Sequence, residues 1–177
     1  MTLPGIVPTL AVTIALCAAF TDVKARLIPN RLTYSAVVAG FALQGMLHGL
    51  NGLLLSAEGA VLFGGVFMLF YIVRAMGAGD VKLAAALGSI VGLSATRPLM
   101  FATALAGAAL AVWFTVCSGR IAETLRNTLS IVGFHVRYGL RVHPLINLDA
   151  PKGVRMPYGL AFAAGTLYWA ASVGFWR

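Results

Sequence analysis

Acidic side chains are scarce in this sequence, five among 177 residues against thirteen Lys and Arg. With so few, the position of each acid is informative. Charged residues make up 10% of the chain, hydrophobic ones 60%, and the mean hydropathy is +0.90. A soluble domain carries about 25% charged and about 45–50% apolar residues. A water-soluble globule is therefore excluded and an integral membrane protein expected. Only two cysteines occur, Cys17 and Cys117. Both stand in apolar runs without the C-x-x-C spacing of a zinc site, and they are expected as buried small side chains. His48, His135 and His143 lack metal-ligand spacing, and neither a nucleophile elbow nor a phosphate-binding glycine loop is present. No metal and no cofactor are expected. Spacers, low-complexity tracts and convincing internal repeats are also lacking, so residues 1–177 are expected to form one domain.

Long uncharged stretches are present, at 3–21, 32–57, 59–73, 83–96, 98–119 and 156–176. Against the requirement of about 20 residues per crossing, they predict an all-α, polytopic bundle of six transmembrane helices. His48, Gly49 and Asn51 break the second stretch near residue 50, and the third helix is expected to start near Ser56 with Glu58 at its mouth. The first stretch resembles a signal peptide in length. However, no Lys or Arg precedes it, Lys24 and Arg26 follow it, and Leu16 stands before Cys17 where a lipoprotein signal would have a small residue. A retained first helix is expected.

Six crossings would put 11 of the 13 basic residues on one side, leaving only Arg97 and Arg177 on the other. The positive-inside rule then sets the N-terminus outside and reads the net charge of +8 as topogenic, with no nucleic-acid partner. The only long loop, about 118–155, is cytoplasmic in this reading. Within it Ile121, Leu125, Leu129 and Val132 recur at helical spacing with Arg120, Glu123 and Arg126 between them. That pattern predicts an amphipathic helix lying on an inner leaflet with anionic lipids.

The same topology brings Asp22, at the end of the first helix, and Asp80, at the start of the fourth, to one membrane boundary. A carboxylate near hydrocarbon is costly enough to need a partner or a task. The plainer reading is that Asp22 flanks a loop and that Asp80 caps or opens the helix beginning at Val81. Their surroundings favour a site. In "DVKARLIPNRLT", Pro29 prevents the helix from continuing and Asn30 is expected to cap the next one. In "GAGDVKL", Gly77 and Gly79 allow unusual backbone angles or the close approach of another backbone beside Asp80. Lys82 should point away from Asp80 as an inside-facing charge, or else meet substrate or lipid. Two close carboxylates share a proton, so one can activate water while the other polarises a peptide carbonyl. On helix-end grounds Asp80 is expected to be the base and Asp22 the initial acid.

Gly77-Ala78-Gly79-Asp80, together with Asp22 followed by Ile28-Pro29-Asn30 and Leu32-Thr33, resembles the type IV prepilin peptidase family, membrane aspartyl proteases with a G-x-G-D signature. "RMPYGLAFAAGTL", from Arg155, is similar to that family's proline-glycine approach to its last helix. The resemblance implies that Asp22 and Asp80 are the catalytic pair, with Gly77, Gly79, Lys82, Pro29 and Asn30 supporting them. It also implies a prepilin substrate, cut just before its hydrophobic helix at the cytoplasmic face of the bacterial inner membrane. Larger members carry an additional region with paired cysteines and N-methylate their product. This chain is similar to the small Flp-type branch, which implies peptidase activity without methyl transfer or zinc. The competing readings are a small transporter or proton-coupled channel, and a structural subunit of a secretion machine.

Overall fold

The computed structural model describes residues 3–146 and 156–174; the end of the loop expected at about 118–155 and the expectations placed on Arg155 and Arg177 lie outside them. Every regular element among the described residues is helical, as expected: α1 (Leu3–Ala25), α2 (Asn30–Ile72), α3 (Ala78–Cys117), α4 (Ile121–Tyr138) and α5 (Gly159–Ser172). Gly5–Ala25 within α1, and α2 and α3 throughout, are long and apolar enough to cross a membrane.

At 43 and 40 residues, α2 and α3 are each about twice the length one span requires. Both turn back on themselves. A methyl group at Gly40 would lie 2.5 Å from Ser89 Oγ, and the Ser56 hydroxyl donates to Ser89 O at 2.9 Å. A straight helix would hold positions 40 and 56 about 24 Å apart. The reversal between them is at Gly49, with φ 60° and ψ −141°. In α3 the corresponding break is Gly92, φ 71° and ψ 169°, a backbone region that essentially only glycine occupies. The expected helix start near Ser56 is therefore corrected. One glycine makes the turn, so helix resumes directly after Gly49 and contains both Ser56 and Glu58.

Breaking α3 at Gly92 leaves the last carbonyls of its first limb without helical partners, a serious cost where no water can reach them. Side chains supply the donors: Thr96 Oγ1 to Gly92 O at 2.8 Å and more weakly to Gly88 O at 3.5 Å, Ser56 to Ser89 O, and Gln44 Nε2 to Ile90 O at 2.7 Å. Ser56, Thr96 and Gln44 are all buried, which explains three polar residues inside an otherwise apolar bundle.

Small residues let α2 and α3 cross closely. Gly59 faces Gly88 backbone to backbone, and Gly64 packs on Ala85. A side chain at Gly88 would collide with Gly59 O, a backbone atom that cannot rotate away. Gly88→Leu is accordingly expected to destabilise the protein by about 3 kcal/mol or more. Denaturation of the purified protein in detergent measures this, and a midpoint equal to wild type would refute the close crossing. α5 packs between α1 and α3. Its Tyr158 and Phe162 rings meet Phe67 at centroid distances of 6.1 and 5.0 Å, and Phe63 lies 5.8 Å from Phe162.

The cysteine expectation is also corrected, because Cys17 and Cys117 are both exposed on the protein surface. In a membrane bundle an apolar run need not face the core, since hydrocarbon solvates it equally well. The amphipathic helix expected in the long loop is α4. None of its residues is buried, and Ile121, Leu125, Leu129 and Val132 all stand exposed.

Candidate active site

The reversals at Gly49 and Gly92 bring the end of α1 and the starts of α2, α3 and α5 to one end of the bundle. Asp22 lies in the last turn of α1 and is 9% exposed; Arg26, with φ 51°, then turns the chain out of the helix. Ile28 is buried, and Pro29 sits at the N-cap of α2 with φ −64° and ψ 134°. Asn30 is thus the first residue of α2 and makes no capping bond, contrary to expectation. Its Oδ1 instead accepts a 2.8 Å hydrogen bond from Lys82 Nζ, which also stands 5.4 Å from the Tyr34 ring centroid. Asn30 and Lys82, assigned separate tasks from sequence, form a single strut between the starts of α2 and α3.

Asp80 occupies the first turn of α3, where its Oδ2 accepts the Gly77 N–H at 3.1 Å. This is half of a capping box, since glycine has no side chain to return the bond. Gly79 meets the other aspartate's segment: a methyl there would lie 3.3 Å from Ile28 Cβ. Its smallness therefore serves the packing of the two motif segments on each other. Gly77 has ordinary backbone angles, φ −80° and ψ 154°, and a methyl there would make ordinary contact with Asp80 Oδ2 at 3.5 Å.

The residue that sequence reasoning missed is Gly159, at the start of α5. Its N–H donates to Asp22 Oδ2 at 2.7 Å. The approach leaves no room for a side chain, because a methyl at Gly159 would lie 3.0 Å from Asp22 Cβ, Asp22 Oδ2 and Ala19 Cα. Tyr158, immediately before it, is within electrostatic range of Asp80, and Asp80 is within range of Asp22. The only available signal was the motif "PYG", whose glycine stands at the mouth of an apolar run.

Each carboxylate thus has Oδ2 fixed by a backbone N–H at a helix start, while Oδ1 makes no hydrogen bond among the described residues. The difference in helix-end environment expected between Asp22 and Asp80 is reduced, because Gly159 gives Asp22 a helix N-terminus beside the C-terminal end of α1 on which it stands. Chemically, two carboxyl groups within electrostatic range of each other can share a proton.

No curated protein and no solved structure matches the chain. Residues 9–112 match the type IV leader peptidase family, a range that contains both aspartate segments and ends before α4 and α5. With more than half of its length matched, the chain, an all-helical membrane protein, belongs to the type IV leader peptidase family.

Proposed function

We propose that this peptidase removes the short leader of Flp-type prepilins at the cytoplasmic face of the bacterial inner membrane, with Asp22 and Asp80 as its catalytic dyad. The observation that carries the reading is the meeting of two aspartates 58 positions apart at one end of the bundle, each anchored by a backbone N–H. In a chain with five acids, such a meeting calls for a chemical task. This reading takes α1, the two limbs of α2, the two limbs of α3 and α5 as six crossings, and the concentration of Lys and Arg at the dyad end supports that end facing inside.

The two carboxyls share one proton, because like charges so close do not both ionise readily. The ionised member takes a proton from water as it attacks, and the protonated member donates to the scissile carbonyl oxygen. The substrate's leader–mature junction must be unwound, since a helical carbonyl is already engaged with an amide four residues on. The Lys82–Asn30 strut and the Ile28–Gly79 contact keep the two motif segments in register throughout.

Co-expression with an Flp-type prepilin, followed by mass spectrometry of the pilin, tests the reading. A single cut is expected just before the hydrophobic helix, leaving an unmethylated N-terminus. An uncut prepilin, together with cation-dependent transport by the protein in vesicles, would replace the peptidase reading with the transporter one.

A further inference from the structure

With two carboxyls alone, the charge that develops on a scissile carbonyl oxygen has a single donor, the protonated aspartate. Another donor stands at the same end of the bundle. Tyr158 is the N-cap residue of α5, directly before the Gly159 amide that holds Asp22. Its ring centroid lies 6.1 Å from that of Phe67 and 6.0 Å from that of Phe162. Its hydroxyl ends against Gly107 of α3, where a methyl group would lie 2.7 Å from the Tyr158 oxygen. Gly107 stands 15 residues beyond the reversal at Gly92, and Asp80 stands 12 before it. At about 1.5 Å of rise per residue, the two positions lie within about 5 Å of the same depth. The hydroxyl is therefore level with the dyad, and it is within electrostatic range of Asp80.

A tyrosine hydroxyl withdrawn from water ordinarily finds a hydrogen-bond partner. Tyr158 is half-buried, and its hydroxyl has none among the described residues. Unlike Thr103 Oγ1 and Trp169 Nε1, it is not sealed away from an incoming molecule. Gly107 stands in a helix interior, where alanine would be the better helix former, and its missing side chain leaves room for the hydroxyl. An ordered donor without an acceptor, beside a carboxyl pair, suits an extended peptide, whose carbonyl oxygens are acceptors. We infer that the Tyr158 hydroxyl is a catalytic group, donating a hydrogen bond to the scissile carbonyl oxygen as that oxygen gains charge. A phenol ionises near pH 10, so the proton is present at neutral pH. In the step, the water oxygen bonds to the carbonyl carbon and a water proton passes to the ionised aspartate. The carbonyl π pair moves onto oxygen, which receives the proton of the other aspartate. Tyr158 keeps its own proton and holds that oxygen throughout. The inference rests on the peptidase reading and adds a third group to its site.

The test is steady-state cleavage of a purified Flp-type prepilin by the purified protein in detergent. Tyr158→Phe keeps the ring packing on Phe67 and Phe162 and removes only the hydroxyl, so it should unfold like wild type. A lone oxyanion donor is worth on the order of 100-fold or more in kcat; with an aspartate sharing the oxygen, a loss of about 30-fold is expected, KM staying within a few-fold. Gly107→Ala should displace the hydroxyl and lower kcat about 10-fold. Added to Tyr158→Phe it should lower kcat little further, because no hydroxyl remains to be displaced. Wild-type kcat in Tyr158→Phe, a loss expressed in KM alone, or a Gly107→Ala loss that persists in full without the hydroxyl would each overturn the assignment and leave the dyad in place. Absence of cleavage by wild type, or full cleavage by both Asp22→Asn and Asp80→Asn, would instead remove the peptidase reading and this inference with it.

Discussion

Leader cleavage is expected to fall at least about 1,000-fold when either Asp22 or Asp80 is replaced by asparagine. Asparagine keeps the shape of aspartate and retains a carbonyl oxygen. In Asp22→Asn the side-chain amide can still accept the Gly159 N–H, and in Asp80→Asn it can still accept the Gly77 N–H, so both anchoring bonds survive. The helix ends should therefore stay in place, and protein levels should match wild type. Only proton transfer is lost, because an amide neither gives up nor takes a proton in this range. If the two act as one unit, the double variant should be no worse than either single variant by more than a few-fold. Gel shift and mass spectrometry of a co-expressed prepilin, with the peptidase quantified in the same membranes, provide the measurement. Cleavage retained in one variant would return that aspartate to a purely helix-end role.

The hydropathy of the chain makes the helices legible, and it makes their number harder to read. Composition alone calls for a membrane bundle, because burial in lipid removes the need for a polar surface. The break near Gly49 is visible as His48, Gly49 and Asn51 together, but not that a single glycine completes the turn. Near Gly92 the nearest charge is Arg97, which divides the stretches 83–96 and 98–119 five residues beyond the actual reversal, so the sequence places the break too late. Two of its marks, Gln44 and Ser56, are distant in sequence and the third, Thr96, stands four residues on; their side chains satisfy carbonyls around the break. The roles of Asn30 and Lys82 are likewise obscured by sequence separation, since neither residue announces the other across 52 positions. The cysteines mislead because apolar neighbours indicate a buried core only in a protein whose surroundings are water.

Asp22 and Asp80 are legible because acids are few, whereas the clamp on Asp22 is not, because it is a main-chain N–H and leaves no side chain in the sequence to find. Its importance can be measured through the glycine that makes room for it. Gly159→Ala places a methyl against Asp22 Cβ and Oδ2 at 3.0 Å, and Gly159→Val adds two more carbons in the same confined space. Since the opposing atoms include the Ala19 main chain, the relief is a displacement of α5 away from α1, which lengthens the bond to Asp22. Displacing a reactive carboxyl by about 1 Å costs on the order of 100-fold in rate. The expectation is thus a loss of about 10-fold for alanine and about 100-fold for valine, in kcat with little change in KM, as for an interaction needed chiefly in the transition state. Gly65→Ala is the appropriate comparison, because a methyl there meets nothing within 4 Å. It should cleave as wild type does and be at least as stable, helical alanine being preferred to glycine by roughly 0.5–1 kcal/mol. Wild-type kcat in Gly159→Val would show that the N-terminus of α5 does not hold Asp22 for catalysis. A loss of kcat in Gly159→Val alone would make α5 the third arm of the site, outside the 9–112 range by which the family is recognised.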